Sequence, residues 1–513
     1  MEEISRNGNA ISVSEVVFDG QTEQGVELDY VLPDYYPEIF KILSCRLIPR
    51  ILSYNMLGDA KLSIDGCVDI KVMYLAEGSS DIYCIEQRYT YAKSVDLGRS
   101  TAAGSAMIRL EPKPDYCNCR AVSGRRIDVR GAVSTKIRIT DVRTCEIPAL
   151  PKGLQIKAQQ LDCCGRLLSA EKQFSCREEI ETGAHGLAFI IRSSAIPKIN
   201  DVRIIADKAV IKGVITIYAA YGTKQPDSSG SAEIESMTAD IPISQIIDLE
   251  GVDDSFGCSA DMDILNLELS CSADSGIIGC NILAAARVSC SRKCTVEIPC
   301  DVYSTEYETA YSVKPTRLIR DSGRLERQLS VKTECAAGDT EIAGVLDCTA
   351  DIFNLSCRIE DGNPLLMGTV CCKALCRSAE GVPCCIEKQE GFEIPITADS
   401  GQSITELEFS ARCCDTDYSI RSDGALDVTA RIEFAANVYN CGSVDMIERV
   451  TVDEEKPRTA ENNYALRICY ADGEEDCWSI AKRYGTSVEA VMNENDIEDR
   501  DMPLSGMILI PAI

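Results

Sequence analysis

Apolar and polar residues alternate with a period of two through most of the first 450 positions, the signature of half-buried β-strands. Three such stretches align with one another: "LSIDGCVDIKVMYLAEG" (62–78), "VIKGVITIYAAYG" (210–222) and "PLLMGTVCCKALCRSAEG" (364–381). Gly66, Gly213 and Gly368 correspond, at offsets of 147 and 155 residues, and eight positions later stand Tyr74, Tyr221 and Cys376. Each stretch ends at a glycine-containing turn and reads as a strand entering a hairpin. A glycine recurring inside a strand predicts a bulge or a close backbone approach.

A second pattern recurs downstream in "DYCNCRAVSGRRIDVRGAV" (115–133), "DILNLELSCSADSGIIGCNILAA" (263–285) and "DYSIRSDGALDVTARIEF" (417–434). Each has an Asp, an alternating strand, a polar turn and another alternating strand. Ile127, Ile278 and Leu426 match at offsets of 151 and 148, close to the first period. Between the two patterns lie "IEQRYTYAKSVDL", "IESMTADIPISQIIDL" and "IEKQEGFEIPITAD", again with strand character. The expectation is an all-β, sandwich-like domain of six or more strands, repeated three times over 1–145, 146–305 and 306–452. A helix is expected within the repeats only over "PEIFKILSC" (37–45).

The pattern changes at the C-terminus. "TVDEEKPRTAENN" (451–463) is polar and lacks apolar periodicity, so 453–463 reads as a linker to a last domain over 464–513. There "YALRICY" (464–470) alternates as a strand. Cys477, Ile480, Ala481 and Tyr484 then fall on one face of a helix, with Asp476 as its N-cap and Gly485 just past its end. Ser487 caps a second helix carrying Val488, Val491 and Met492, and "MILIP" (507–511) closes as a strand. The order is strand, helix, helix, strand.

Composition narrows the function. The chain has 513 residues, a formal net charge of −29 and a single histidine, His185. Binding nucleic acid or an anionic membrane needs a basic surface, and none is visible. The N-terminal stretch has no signal-peptide pattern, and no apolar run reaches the length of a membrane-spanning helix, so a cytoplasmic protein is expected. With one histidine and no partner pattern around it, Ser-His-Asp and Cys-His chemistry have no support. The 28 cysteines lack the C-x2-C spacing of zinc sites and often stand adjacent, as in Cys163–Cys164 and Cys371–Cys372. They read chiefly as buried thiols packing as small hydrophobes, with later oxidative cross-linking as the functional alternative. No enzyme, metal or cofactor is called for.

Two resemblances give these patterns a context. "YVLPDYYPEIFKIL" (30–43), followed by "IDGCVDIKVMY", resembles the SPOCS domain, a repeated β module of spore coat assembly proteins in endospore-forming bacteria. The phrase occurs only in the first repeat; the other two rest on the period. "WSIAKRYGTSVEAV", Asn495 and the terminal "SGMILIP" resemble a LysM domain. That resemblance implies a groove for N-acetylglucosamine chains such as peptidoglycan, between the loop after the first strand and the loop after the second helix. Here those loops hold Asp472, Gly473, Glu474, Glu475 and Asp476, and Asn495, Asp496, Ile497, Glu498 and Asp499. "GEEDCW" (473–478) is one residue longer than the family's Gly-Asp-Thr-Leu-Trp phrase and lacks its threonine. The acidic rim suits a basic protein patch better than a neutral sugar, and a solvated edge without a ligand is the bland alternative. Trp478 is expected in the core or on the groove floor.

The combination is similar to the SpoIVA-interacting protein L group of spore coat morphogenetic proteins. It implies a scaffold in the mother-cell cytoplasm, at the forespore surface, that binds the coat ATPase SpoIVA and other coat proteins. A peptidoglycan- or cortex-binding protein and a self-associating spore-surface filament are the alternatives.

Overall fold

The computed structural model describes residues 10–78, 81–101, 106–147, 150, 153–183, 186–223, 233–272, 276–336, 341–422, 424–458 and 466–511. His185 lies outside them. Alternating sequence becomes antiparallel strand throughout the body of the chain. Strands β1 (Ala10–Val31), β2 (Ile39–Leu57), β3 (Lys61–Ala76), β4 (Ile82–Asp96), β5 (Met107–Ser123) and β6 (Arg126–Glu146) make two sheets, ordered β1-β6-β5 and β2-β3-β4. The next six are β7 (Leu154–Glu181), β8 (Leu187–Ile204), β9 (Lys208–Thr223), β10 (Glu233–Asp248), β11 (Gly257–Ser272) and β12 (Ile277–Ser304), ordered β7-β12-β11 and β8-β9-β10. The same order returns in β13 (Tyr307–Cys335), β14 (Ile342–Glu360), β15 (Asn363–Ser378), β16 (Pro383–Pro395), β17 (Glu406–Ile420) and β18 (Leu426–Pro457), as β13-β18-β17 and β14-β15-β16.

Within each group the second strand runs beside the fifth, so that two sheets enclose one core. Val26, Val68, Ile70 and Val129 fill the first core; Ile211, Ile215, Ile282 and Ala284 the second; Leu366, Val370, Val428 and Ile432 the third.

Residues 39–45, where a helix was expected, are strand β2. The cause is a set of β-bulges. The register of β2 slips between Ile39 and Lys41, Ile42 and Ser44, and Ile51 and Ser53. Each bulge adds one residue, so core-facing Ile39, Ile42 and Cys45 fall three apart and imitate a helical period. Strand β8 slips at 187/189, 190/192 and 199/201, and β14 at 342/344, 345/347 and 353/356.

The bulges also bring the three groups together. Leu43, Ile191 and Leu346, the extra residues of the second bulge in each strand, pack with Met73, Ala220 and Leu375 in one cluster. Those last three positions are separated by 147 and 155 residues, the glycine offsets. A second shared cluster collects Ile11, Cys163, Ile298, Leu318 and Met446 from the long paired strands of all three groups, β1/β6, β7/β12 and β13/β18. Strand β4 comes beside β8, β10 beside β14 and β16 beside β2, which closes the groups into a ring.

Charge pairs bridge the same boundaries. Buried Arg287 donates to Glu171, to Asp263 and, at 2.8 Å, to the backbone oxygen of Ile108. Arg88 joins buried Asp69 at 2.7 Å to Glu268 at 2.6 Å.

Two expectations need correction. Residues 453–457 of the supposed linker belong to β18, with Tyr307 opposite Pro457 and Glu308 opposite Asp453. Ladder hydrogen bonds hold a mostly exposed strand end that has no apolar face to announce it. Residues 459–463 lie outside the described positions. The thiols are mainly buried or half-buried, but Cys258 and Cys290, directly opposite each other on β11 and β12, form a disulfide.

Gly66, Gly213 and Gly368 lie in the middle strands β3, β9 and β15. A Cβ on Gly213 would stand 2.3 Å from the Lys198 carbonyl oxygen, and one on Gly66 2.4 Å from the Tyr91 ring. Gly213→Ala is therefore expected to destabilise the protein by about 1–3 kcal/mol. Gly25→Ala, where nothing lies within 4 Å, is expected to change it by less than about 0.5 kcal/mol. Denaturant titration of the two variants checks the difference.

Candidate functional site

The C-terminal module consists of β19 (Leu466–Glu475), α1 (Cys477–Tyr484), α2 (Val488–Glu494) and β20 (Leu504–Pro511), with β19 and β20 paired antiparallel. Asp476 caps α1 by accepting from the Ser479 N–H at 2.8 Å, and Ser487 caps α2 by accepting from Ala490 at 3.1 Å. Gly485 ends α1 in the left-handed region. Cys477, Ile480, Ala481 and Val491 are buried against Cys469, Ala471, Ile508 and Ile510 on the inner face of the sheet.

This module sits firmly on the body. Asp301, near the end of β12, accepts from the Trp478 indole Nε1 at 2.8 Å, from Lys482 Nζ at 2.6 Å and from the Tyr311 hydroxyl at 2.8 Å. Tyr303 enters the module's core: its ring meets Trp478 edge-on at 5.0 Å and its hydroxyl donates to the Thr486 carbonyl at 2.7 Å. Lys157 on β7 reaches Asp476 at 2.6 Å. Burial pushes the Asp301 carboxyl up, but the bonds from Lys482, Trp478 and Tyr311 outweigh it and hold the group below its ordinary value. Asp476 is likewise held low against burial by Lys157 and Ser479. Trp478, 8% exposed, is a core residue that faces the body.

The two acidic segments lie near one another. Burial pushes the Cys477 thiol up, and the charges of Asp476, Asp499 and Asp501 add to it. Residues 472–475, expected as a loop, continue β19 as a bulge: Asp472 pairs with Ser505 and Glu475 with Leu504, leaving Gly473 and Glu474 as the extra residues. Gly473 has φ +96°, a conformation that strains a side chain. The longer "GEED" approach is absorbed there.

Several of the expected groove residues are engaged internally. Glu475 takes both Nη atoms of Arg483, at 2.7 and 2.9 Å, and Asp476 serves as cap and anchor. Asn495 accepts from the Leu509 N–H at 2.7 Å and donates to the carbonyls of Val491 and Leu509, which ties α2 to β20. Ile497 packs on the module's core. Asp472, Glu474, Asp496, Glu498 and Asp499 are exposed and have no ion pair among the described residues.

A neighbouring feature went unread in the sequence. On the outer face of the module's sheet, Ile468 is 55% exposed, Tyr470 76% and Met507 55%, with Tyr470 directly opposite Met507. The signal was available: in "ICYA" (468–471) both phases of the alternation are apolar, whereas a one-sided sheet needs only one.

A β body bearing a small strand-helix-helix-strand head is thus the class of protein defined by the fold. Residues 189–272 match the family described as "SipL, SPOCS domain", and residues 474–510 match the LysM domain family. The chain carries a SPOCS domain and a C-terminal LysM domain. The SPOCS match covers β8 to β11, in the second group of strands, whereas the "LPDYYPEI" phrase placed the resemblance in the first. No curated protein and no solved structure matches the chain. Among the described residues no helix is long and apolar enough to cross a membrane.

Asp301→Ala removes three hydrogen bonds at the seat of the head. The expected cost to its attachment is about 1–3 kcal/mol, read as faster hydrogen exchange over 477–484 with exchange in the body unchanged. Acid should act on the same contact. Because the folded-state value of Asp301 is depressed, its contribution is complete at neutral pH and lost only as the pH falls below about 4. Protection factors over 477–484, with the intrinsic pH dependence of amide exchange divided out, should stay flat from neutrality to about pH 5, which checks it.

Proposed function

We propose that the chain is a non-enzymatic scaffold of spore coat and envelope assembly, held in the mother-cell cytoplasm at the forespore surface. Its LysM head docks on a coat basement-layer ATPase of the SpoIVA kind. The outer face of the head's sheet carries this reading. Ile468, Tyr470 and Met507 form an exposed apolar row, and the same head bears the exposed carboxylates of Asp472, Glu474, Asp496, Glu498 and Asp499, which form no ion pair among the described residues. Apolar centres with charged surroundings suit protein partners, and acidic surroundings favour a partner with a basic rim. The two matched families fit a sporulation-associated protein that works by binding. We take 1–145, 146–305 and 306–452 as three SPOCS-like repeats that present the head.

The LysM match itself favours a second role, capture of peptidoglycan N-acetylglucosamine chains between the segments 472–476 and 495–499. Five exposed carboxylates add nothing to the recognition of a neutral sugar, so we rank it second. Growth of a filament by strand addition has less support, because the edges β4, β10 and β16 already lie beside strands of the next group.

Purified full-length protein is expected to capture the ATPase and to stay in the supernatant with insoluble peptidoglycan. Ile468→Asp and Tyr470→Ala should each weaken capture at least about tenfold, a loss of about 1.4 kcal/mol, without changing the melting midpoint. Retention on peptidoglycan with no capture of the ATPase would establish the second role instead. Transcription confined to sporulation is expected; constitutive expression contradicts a coat function.

A further inference from the structure

Twenty-six cysteines are reduced among the described residues, and their surroundings differ. Cys67, Cys280 and Cys371 are buried and serve as packing. Cys335 and Cys372 are near neighbours but are both buried, as is Cys163, which stands opposite Cys294. One cluster combines close sulfurs with partial exposure. Cys117 on β5 donates its S–H to Cys45 on β2 at a sulfur separation of 3.3 Å. Cys119, two residues further along β5 and so on the same face, is near enough to Cys45 for its thiol to be held low as well. All three thiols are half-buried.

The cluster lies at the joint between the first and third groups of strands. Arg46, beside Cys45, donates to Thr349 on β14 at 3.3 Å, and Lys373 on β15 is close enough to favour the Cys117 thiolate. Once Cys117 is deprotonated, the Cys45 S–H can donate to it in turn; this acts in the same direction and more strongly, so Cys117 is held below the ordinary thiol range while Cys45 is pushed up. Cys117 thus has the features of an attacking thiol and Cys45 those of a resolving one. The strands concerned belong to different sheets: β2 to β2-β3-β4, and β5 to β1-β6-β5.

We propose that Cys45 and Cys117 form an oxidisable dithiol site that reacts with a low-molecular-weight disulfide and staples the two sheets of the first group together. The Cys117 thiolate attacks one sulfur of the small disulfide. Its S–S bond breaks, one small thiol leaves with a proton, and a mixed disulfide remains on Cys117. Cys45 then gives up its proton and attacks the Cys117 sulfur, and the second small thiol leaves with that proton. Two protein thiols are oxidised and one small disulfide is reduced to two thiols. The bond spans 72 residues of sequence, so in loop-closure terms it constrains the unfolded chain somewhat more than Cys258–Cys290, which joins neighbouring strands 32 residues apart.

The test uses the full chain. Oxidised glutathione is added at about pH 8, free thiols are blocked with N-ethylmaleimide at intervals, and the digest is read by tandem mass spectrometry. Cys45 and Cys117 are expected to leave the alkylated pool together, ahead of Cys335 and Cys372, and to appear as one linked pair of peptides. Cys119→Ser keeps that link. Cys45→Ser abolishes it and leaves glutathione on Cys117. The glutathione-treated wild type should melt at a higher temperature than the untreated protein, which already holds Cys258–Cys290, a difference absent in Cys45→Ser. A Cys45 that stays alkylatable while other cysteines oxidise overturns the proposal, as does a dominant Cys45–Cys119 link. If Cys45→Ser does not fold, the wild-type peptide map alone decides.

Discussion

Ile11, Ile298 and Leu318 come from three different sheets and leave water in one cluster; Met73, Ala220 and Leu375 do the same in another. Either cluster would be an exposed apolar patch on an isolated six-stranded group. Burying both forces the groups to share their joints, and the bulges of β2, β8 and β14 supply the residues that fill one of them. The remaining geometry follows from that requirement. The long strand pairs must extend past the shorter third strand of their sheets to meet, and the ends of β12 and β13 become the platform for the LysM head.

The head's attachment is the second consequence. Asp301 and Tyr303 stand near the end of β12, and together with Lys157 on β7 they fix Trp478, Lys482 and Asp476. The edge of the head that carries its tryptophan is committed to the body. Its free surfaces are the outer face of the sheet and the acidic segments. A rigidly held head presents those surfaces in one orientation, which lowers the entropic cost of docking compared with a module on a flexible tether.

Much of this was legible in the sequence, for reasons that particular residues make plain. The alternating pattern announced the strands, because one phase of each is buried. Asp476, Ser487 and Gly485 announced the two helices of the head through their capping chemistry. The failures were equally physical. Bulges changed the spacing of Ile39, Ile42 and Cys45 from two to three, so β2 read as a helix. The end of β18 hid because both its faces are largely in water. Of the expected groove residues, Glu475, Asp476 and Asn495 proved to be occupied by Arg483, Lys157 and Leu509, partners that only the fold brings near. The apolar outer row of Ile468 and Tyr470 was present in the sequence as a second apolar phase. Alternation alone does not say which phase faces inward.

The proposed docking of a protein on the outer sheet face of the head is tested most directly by hydrogen exchange on the full-length chain, free and in complex with the coat ATPase. New protection is expected over 466–475 and 504–511, with β2, β8 and β14 unchanged. Protection confined to the β body, with 466–475 exchanging as in the free protein, would contradict it.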